Sequence, residues 1–207
     1  MELLVIYTHA RKDKNMCFKG NADSFGSLAK LFHWVMAVLI IGVLLVGLSL
    51  EEFENTPDFR TIITYHKEFG ILVIALAVLR LGWKVLDISP SLPDTMSDKA
   101  KKAAKLGHCA LYFLMFALPI SGLMASSAAG YPVSMFGWFD LPMLLEQNKE
   151  LSHDIKEFHE LMANALIGLL VLHIGAALVH HFYYKDDILK KMLPKCFKKA
   201  ILLDGKI

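Results

Sequence analysis

Cysteine is scarce in this chain of 207 residues, and the three present, Cys17, Cys109 and Cys196, are far apart. With no C-x-x-C pair and no C-x-x-C-H, they suggest no disulfide framework, zinc ribbon or covalent c-type haem attachment, and they read as free thiols. Charge is also sparse. Charged residues make up 20% of the chain against 55% hydrophobic, and the mean hydropathy is +0.45, which excludes an ordinary soluble domain and makes a membrane protein the first reading. A formal net charge of +2 gives no basis for nucleic-acid binding. The sequence shows no internal repeat, low-complexity segment or soluble second domain. Its first twenty residues do not read as a cleaved signal, because the apolar stretch MELLVIY is too short and charges follow it directly.

Long apolar runs are present instead. Residues 31–50 form an unbroken one that ends at Glu51 and Glu52, long enough to cross a hydrocarbon core of about 30 Å. Further spans run over about 62–85, 106–129 and 158–182. The expected fold is an all-α membrane protein, a bundle of four transmembrane helices over residues 25–184. An N-terminal extension (1–24) precedes it and a basic tail (185–207) follows. Four crossings put both termini on one side, and the cations say which. Eighteen of the 22 Lys and Arg residues fall in the segment up to Lys30, in the tail from Lys185 and in the stretch from Arg80 to Lys105, leaving only Arg60, Lys67, Lys149 and Lys156 for the other two loops. The positive-inside rule then makes both termini cytoplasmic. The loop of 130–157 is the largest outer piece, with room for a short amphipathic helix. The tail from Pro194 suits either contact with an anionic leaflet or plain solvation.

Ionisable residues inside such spans are costly and usually functional, so the histidines carry the argument. The last span holds His159, His173 and His180 at spacings of fourteen and seven, which return to nearly one helical face, and fourteen residues rise roughly 21 Å. Sorted by depth, His33 of the first span matches His173, and His66 of the second matches His159. Two bis-imidazole sites follow, each bridging two helices. Haem is the natural occupant: imidazoles from opposite faces of a macrocycle belong on different helices, and with both axial positions filled the chemistry is electron transfer rather than dioxygen binding. Gly47, Gly70 and Gly122 suit either the approach of a flat ring or close helix packing in lipid.

Other titratable groups sort differently. His108 and His180 lie near the inner surface, where imidazoles can hydrogen-bond the carbonyls of a quinone and relay its protons. Arg80, fourteen residues after His66, suits a haem propionate, the quinone, or a snorkelling anchor at the inner boundary. His9 and His153 read as surface residues and His181 as interfacial.

Several motifs coincide in order and placement: HW at His33 and Trp34, H-x-x-x-G at His66 and Gly70, LGH-x-x-x-Y ending at Tyr112, LPISG from Leu118 to Gly122, H-E-x-x-A-N from His159 to Asn164, and LHIGAALVHHF from Leu172 to Phe182. Over about residues 25–194 they resemble the bacterial cytochrome b561 family. The resemblance implies a four-helix inner-membrane cytochrome with two haem b groups, one on His33 and His173 and one on His66 and His159. One branch of that family oxidises superoxide on the periplasmic side and reduces ubiquinone near positions matching His108 and His180, and this chain looks like that branch. Its partners would be the bilayer, a quinone and superoxide or another small periplasmic donor. The outer loops, however, carry Glu51, Glu52, Glu54, Asp58, Asp140, Glu146, Glu150, Asp154 and Glu157, whereas steering an anion wants a positive mouth. Only Arg60, Lys67 and Lys156 offer one. The alternatives are the cytochrome b subunit of a hydrogenase or formate dehydrogenase, with similar helices, and a histidine-lined metal transporter.

Overall fold

A computed structural model describes residues 18–93 and 95–194. The expected extension up to residue 17, with His9 and Cys17, and the tail from residue 195, with Cys196, lie outside the described residues. Helix α1 spans Ser27–Phe53, α2 Phe59–Leu86, α3 Asp98–Ala128 and α4 Lys149–Phe182; a two-strand ribbon, β1 Ser134–Met135 and β2 Phe139–Asp140, lies between α3 and α4, and α5 is a short helix over Ile188–Met192. The four long helices have 27, 28, 31 and 34 residues and are apolar enough to cross a membrane. At 1.5 Å per residue the shortest is about 40 Å long, so each exceeds the hydrocarbon thickness and carries its polar ends past it.

The described chain divides into two compact units. One comprises Val35–Val78 and Lys105–Val171. Its core takes two residues from each long helix: Met36 and Ile40, Val73 and Ala77, Leu114 and Met115, Met162 and Leu166. Three of these pairs are four residues apart, which puts them on one face of their helix. Outward faces keep large apolar side chains bare, with Val38 at 72% and Leu45 at 62% exposure, which suits lipid and not water.

This unit also holds the ordered loop after α3. The helix stops in a Schellman arrangement: Gly130, at φ +84°, donates to the Ser127 carbonyl and Tyr131 donates to that of Ser126. In the ribbon, Ser134 pairs with Asp140 and Met135 with Phe139. Its turn places Phe136 and Gly137 at φ 51° and 74°, and the Trp138 N–H donates to the Met135 carbonyl. The Phe136 N–H also donates to the Glu68 carboxylate, which is almost fully buried. The short helix expected within residues 130–157 takes a different form: α4 simply starts at Lys149, where Asn148 accepts the Leu151 N–H as an N-cap.

The second unit comprises the described residues up to Trp34, Leu79–Ala104 and the chain from Leu172. Polar ties between connecting segments hold it. Gly20 N–H donates to Asp87 at 2.7 Å, the Trp34 indole donates to the Met192 carbonyl at 3.1 Å, and Lys191 Nζ donates to the Ser91 carbonyl at 3.1 Å.

Ser127, 1% exposed, both donates to the Leu145 carbonyl and accepts its N–H. Ser127→Ala strands those two groups and is expected to cost about 1–3 kcal/mol. Faster limited proteolysis between residues 130 and 148, with helix content unchanged by circular dichroism, is the expected readout.

Candidate functional site

Each unit contains one pair of facing imidazoles. In the first, His66 of α2 and His159 of α4 have ring centres 6.3 Å apart; in the second, His33 of α1 and His173 of α4 are also 6.3 Å apart. An iron bonded on both sides to imidazole nitrogens at about 2 Å, with each ring centre about 1 Å beyond its nitrogen, sets ring centres about 6 Å apart. Both pairs fit a bis-imidazole iron. Among the described residues no group of three or more His, Cys, Asp or Glu side chains could hold a metal ion. The donors come in twos, which suits a metal that brings its equatorial ligands with it.

The surroundings of His66 and His159 follow one plan. His159 Nδ1 lies 3.0 Å from the Leu118 carbonyl, which also accepts the Ser121 hydroxyl at 2.7 Å. A carbonyl only accepts, so Nδ1 carries the proton and Nε2 keeps its lone pair for a metal. His66 Nδ1 is buried against the Val43 carbonyl without a well-formed hydrogen bond. Val43 and Leu118 stand four residues before Gly47 and Gly122, and those glycines touch the same rings. A Cβ on Gly47 would meet His66 Cε1 at 2.9 Å, and one on Gly122 would meet His159 Cε1 at 3.1 Å. Each bare glycine therefore lets an imidazole reach a helix carbonyl. Gly70 differs, since its nearest neighbour is Pro119 Cβ at 3.9 Å.

His33 has another kind of partner. Arg80 Nη2 lies 3.1 Å from His33 Nδ1, and a guanidinium only donates, so this nitrogen accepts and the proton of a neutral ring sits on Nε2. For His33 to offer Nε2 to a metal as a neutral imidazole, its proton would sit on Nδ1, and the Arg80 guanidinium would turn from that nitrogen. Of the partners weighed for Arg80, a propionate, a quinone or the boundary, the structure puts the imidazole itself in contact. Elsewhere in the same unit, Trp83 Nε1 and His181 Nδ1 are buried without a hydrogen-bond partner.

His108 is exposed on α3 and belongs to the unit of the His66 pair, whereas His180 lies in the other. His180 Nδ1 sits 2.5 Å from the Asp186 carboxylate, and its ring is 5.2 Å from that of Tyr184. Spacing arguments missed Asp186, which lies in the turn after α4 with no periodicity to mark it. His153 makes an exposed i,i+4 pair with Glu157, in keeping with a surface residue. The three candidate outer cations are engaged separately. Lys67 donates to Ser126 at 2.8 Å and lies 5.7 Å over the Tyr131 ring, Lys156 pairs with Glu160 at 3.5 Å, and Arg60 lines a cleft of about 490 Å³ with Thr61, Thr64, Tyr65, Glu68 and Phe136.

Residues 24–195 match the prokaryotic cytochrome b561 family. Cytochrome b561 homolog 2 of Escherichia coli K12 is 36% identical, over 87% of this chain and 96% of its own length, and homolog 1 of the same organism is 30% identical, over 84% and 98%. A Yersinia pestis protein named probable superoxide oxidase CybB is 29% identical, over 79% of this chain and 92% of its own. With four apolar helices and two imidazole pairs already on the page, a match over most of its length places this chain in the prokaryotic cytochrome b561 family of membrane cytochromes, which implies that it binds haem b.

Proposed function

We propose that this chain carries two haem b groups, one on His66 and His159 and one on His33 and His173, and that it oxidises superoxide on the periplasmic side while reducing ubiquinone on the cytoplasmic side. The overall reaction is two superoxide anions, one quinone and two protons giving two dioxygen molecules and one quinol. The 6.3 Å spacing of both imidazole pairs carries the reading. Similarity to a relative named as a probable superoxide oxidase supports the donor, and the Lys and Arg distribution supports cytoplasmic termini, with the His66 pair outermost.

Haem b, when bound, would supply one-electron oxidation and reduction, and His66, His159, His33 and His173 are the residues that would hold it. The chain's own contribution is to hold four imidazoles and tune them. The Leu118 carbonyl aligns His159 and raises its basicity, as outer partners of metal-bound histidines generally do. Arg80 puts a positive charge against His33, which favours the reduced state of the inner group and so a downhill path from outside to inside. At the inner end, the buried Trp83 and His181 nitrogens await polar atoms, and His180 stands ready to exchange protons. For the donor, the nine outer acids disfavour long-range steering, and entry depends on the short-range cations Lys67 and Arg60 near His66.

The deciding experiment mixes purified, oxidised protein with an enzymatic superoxide source and a soluble ubiquinone analogue. Reduced α and Soret bands should rise and quinol accumulate; bands that stay oxidised with superoxide but respond to dithionite reject superoxide as donor and favour delivery from a protein partner.

Four substitutions probe the haem assignment. His173→Ala should reduce the pyridine-haemochrome content from two haems per chain to about one. Gly47→Ala, which places a methyl group against His66, should lower haem content or broaden the α band, whereas Gly70→Ala should leave both unchanged. Arg80→Gln should lower one midpoint potential in a spectroelectrochemical titration and spare the other.

A further inference from the structure

Past the last turn of α4 the chain folds sharply back. Lys185 adopts φ 53°, a left-handed conformation that a side chain other than glycine's makes unfavourable. The turn brings the Asp186 N–H to the His180 carbonyl at 3.1 Å and its carboxylate to the His180 ring, Oδ2 to Nδ1, at 2.5 Å. Both side chains are largely withdrawn from solvent, at 17% and 14% exposure, and Tyr184 lies beside the imidazole.

Capping of α5 does not account for this. Asp186 Oδ1 accepts the Ile188 N–H at 3.1 Å and would do so without Oδ2 touching a histidine. One carboxylate thus serves two duties, the turn before α5, whose N-cap is Asp187, with one oxygen and an imidazole with the other. A carboxylate on Nδ1 sets the tautomer of a histidine, fixes its orientation and stabilises its protonated form.

Resting on the quinone-reducing reading above, we propose that Asp186 is the positioning residue of the quinone-reducing end: it holds His180 with Nδ1–H on the carboxylate and Nε2 free to deliver protons to the quinone. The quinone takes up two electrons, one from each superoxide oxidised, and two protons. Each proton leaves His180 Nε2 for a quinone oxygen, forming O–H as N–H breaks, and Nε2 regains it from cytoplasmic water. Asp186 stays ionised throughout and offsets the charge of the imidazolium.

The test uses the full-length, haem-loaded protein in detergent, reduced with dithionite, freed of excess reductant and mixed with ubiquinone-1 in a stopped-flow instrument. Asp186→Asn should slow haem reoxidation at saturating quinone by roughly 10- to 100-fold, the scale of a misdirected general acid, with the half-saturating quinone concentration, haem content and reduction by superoxide unchanged. Asp186→Glu should recover most of the rate. In a His180→Gln background, Asp186→Asn should cause no further loss. Reoxidation of Asp186→Asn at the wild-type rate, an equal loss in the His180→Gln background, or loss of haem from Asp186→Asn each overturn the proposal. Wild-type protein whose reduced haems are not reoxidised by ubiquinone-1 removes the quinone reading itself, and the proposal with it.

Discussion

The meeting of two imidazoles from different helices, at a separation wide enough for one metal between them, is the constraint on which this structure depends. A histidine among lipid-facing side chains is expensive, and a pair of them left to each other gains little. Both pairs nevertheless keep the same 6.3 Å separation. A pair held apart at the span of two metal–nitrogen bonds has the form of a metal socket, and membership of the prokaryotic cytochrome b561 family implies that the chain binds haem b.

How the pairs are held differs, and the difference is electrostatic. His66 and His159 pack against the bare Gly47 and Gly122, and the neutral Leu118 carbonyl orients His159. His33 meets the full charge of Arg80. In a medium of low dielectric constant a formal charge beside a redox centre acts far more strongly than a dipole. In the proposed dihaem reading, this uneven environment would give two otherwise similar groups different potentials. The polar fabric around each is equally local. In one unit Glu68 and Ser127 pin the loop after α3, and in the other the Trp34 indole and Asp87 tie down the segments around α5 and Gly20.

Outer charge bears on the donor in a specific way. For the superoxide donor proposed above, nine acids in the loops of residues 51–58 and 140–157 would repel the anion at long range, so attraction would have to come at short range. Lys67 lies next to His66, and its ammonium is oriented by the neutral Ser126 hydroxyl and the Tyr131 ring. Arg60 lines a cleft beside the buried Glu68 carboxylate. The sequence left open whether Arg60, Lys67 and Lys156 converge; in the structure each has contacts of its own, and i,i+4 geometry hands Lys156 to Glu160.

Chain order alone determined the membrane class, four helices and the two histidine pairs, because apolar run length and helical phase are local properties that read out directly. It also singled out Gly47 and Gly122, without telling ring approach from helix packing and without separating them from Gly70. Only the tertiary structure decided that two of the three glycines touch imidazoles, that Arg80 faces His33, and that Asp186 returns to His180. It also decided that residues 149–157 continue α4 instead of forming a helix of their own. Each of these depends on where a neighbouring backbone stands or on which way a chain turns after a helix ends. Periodicity carries no record of either.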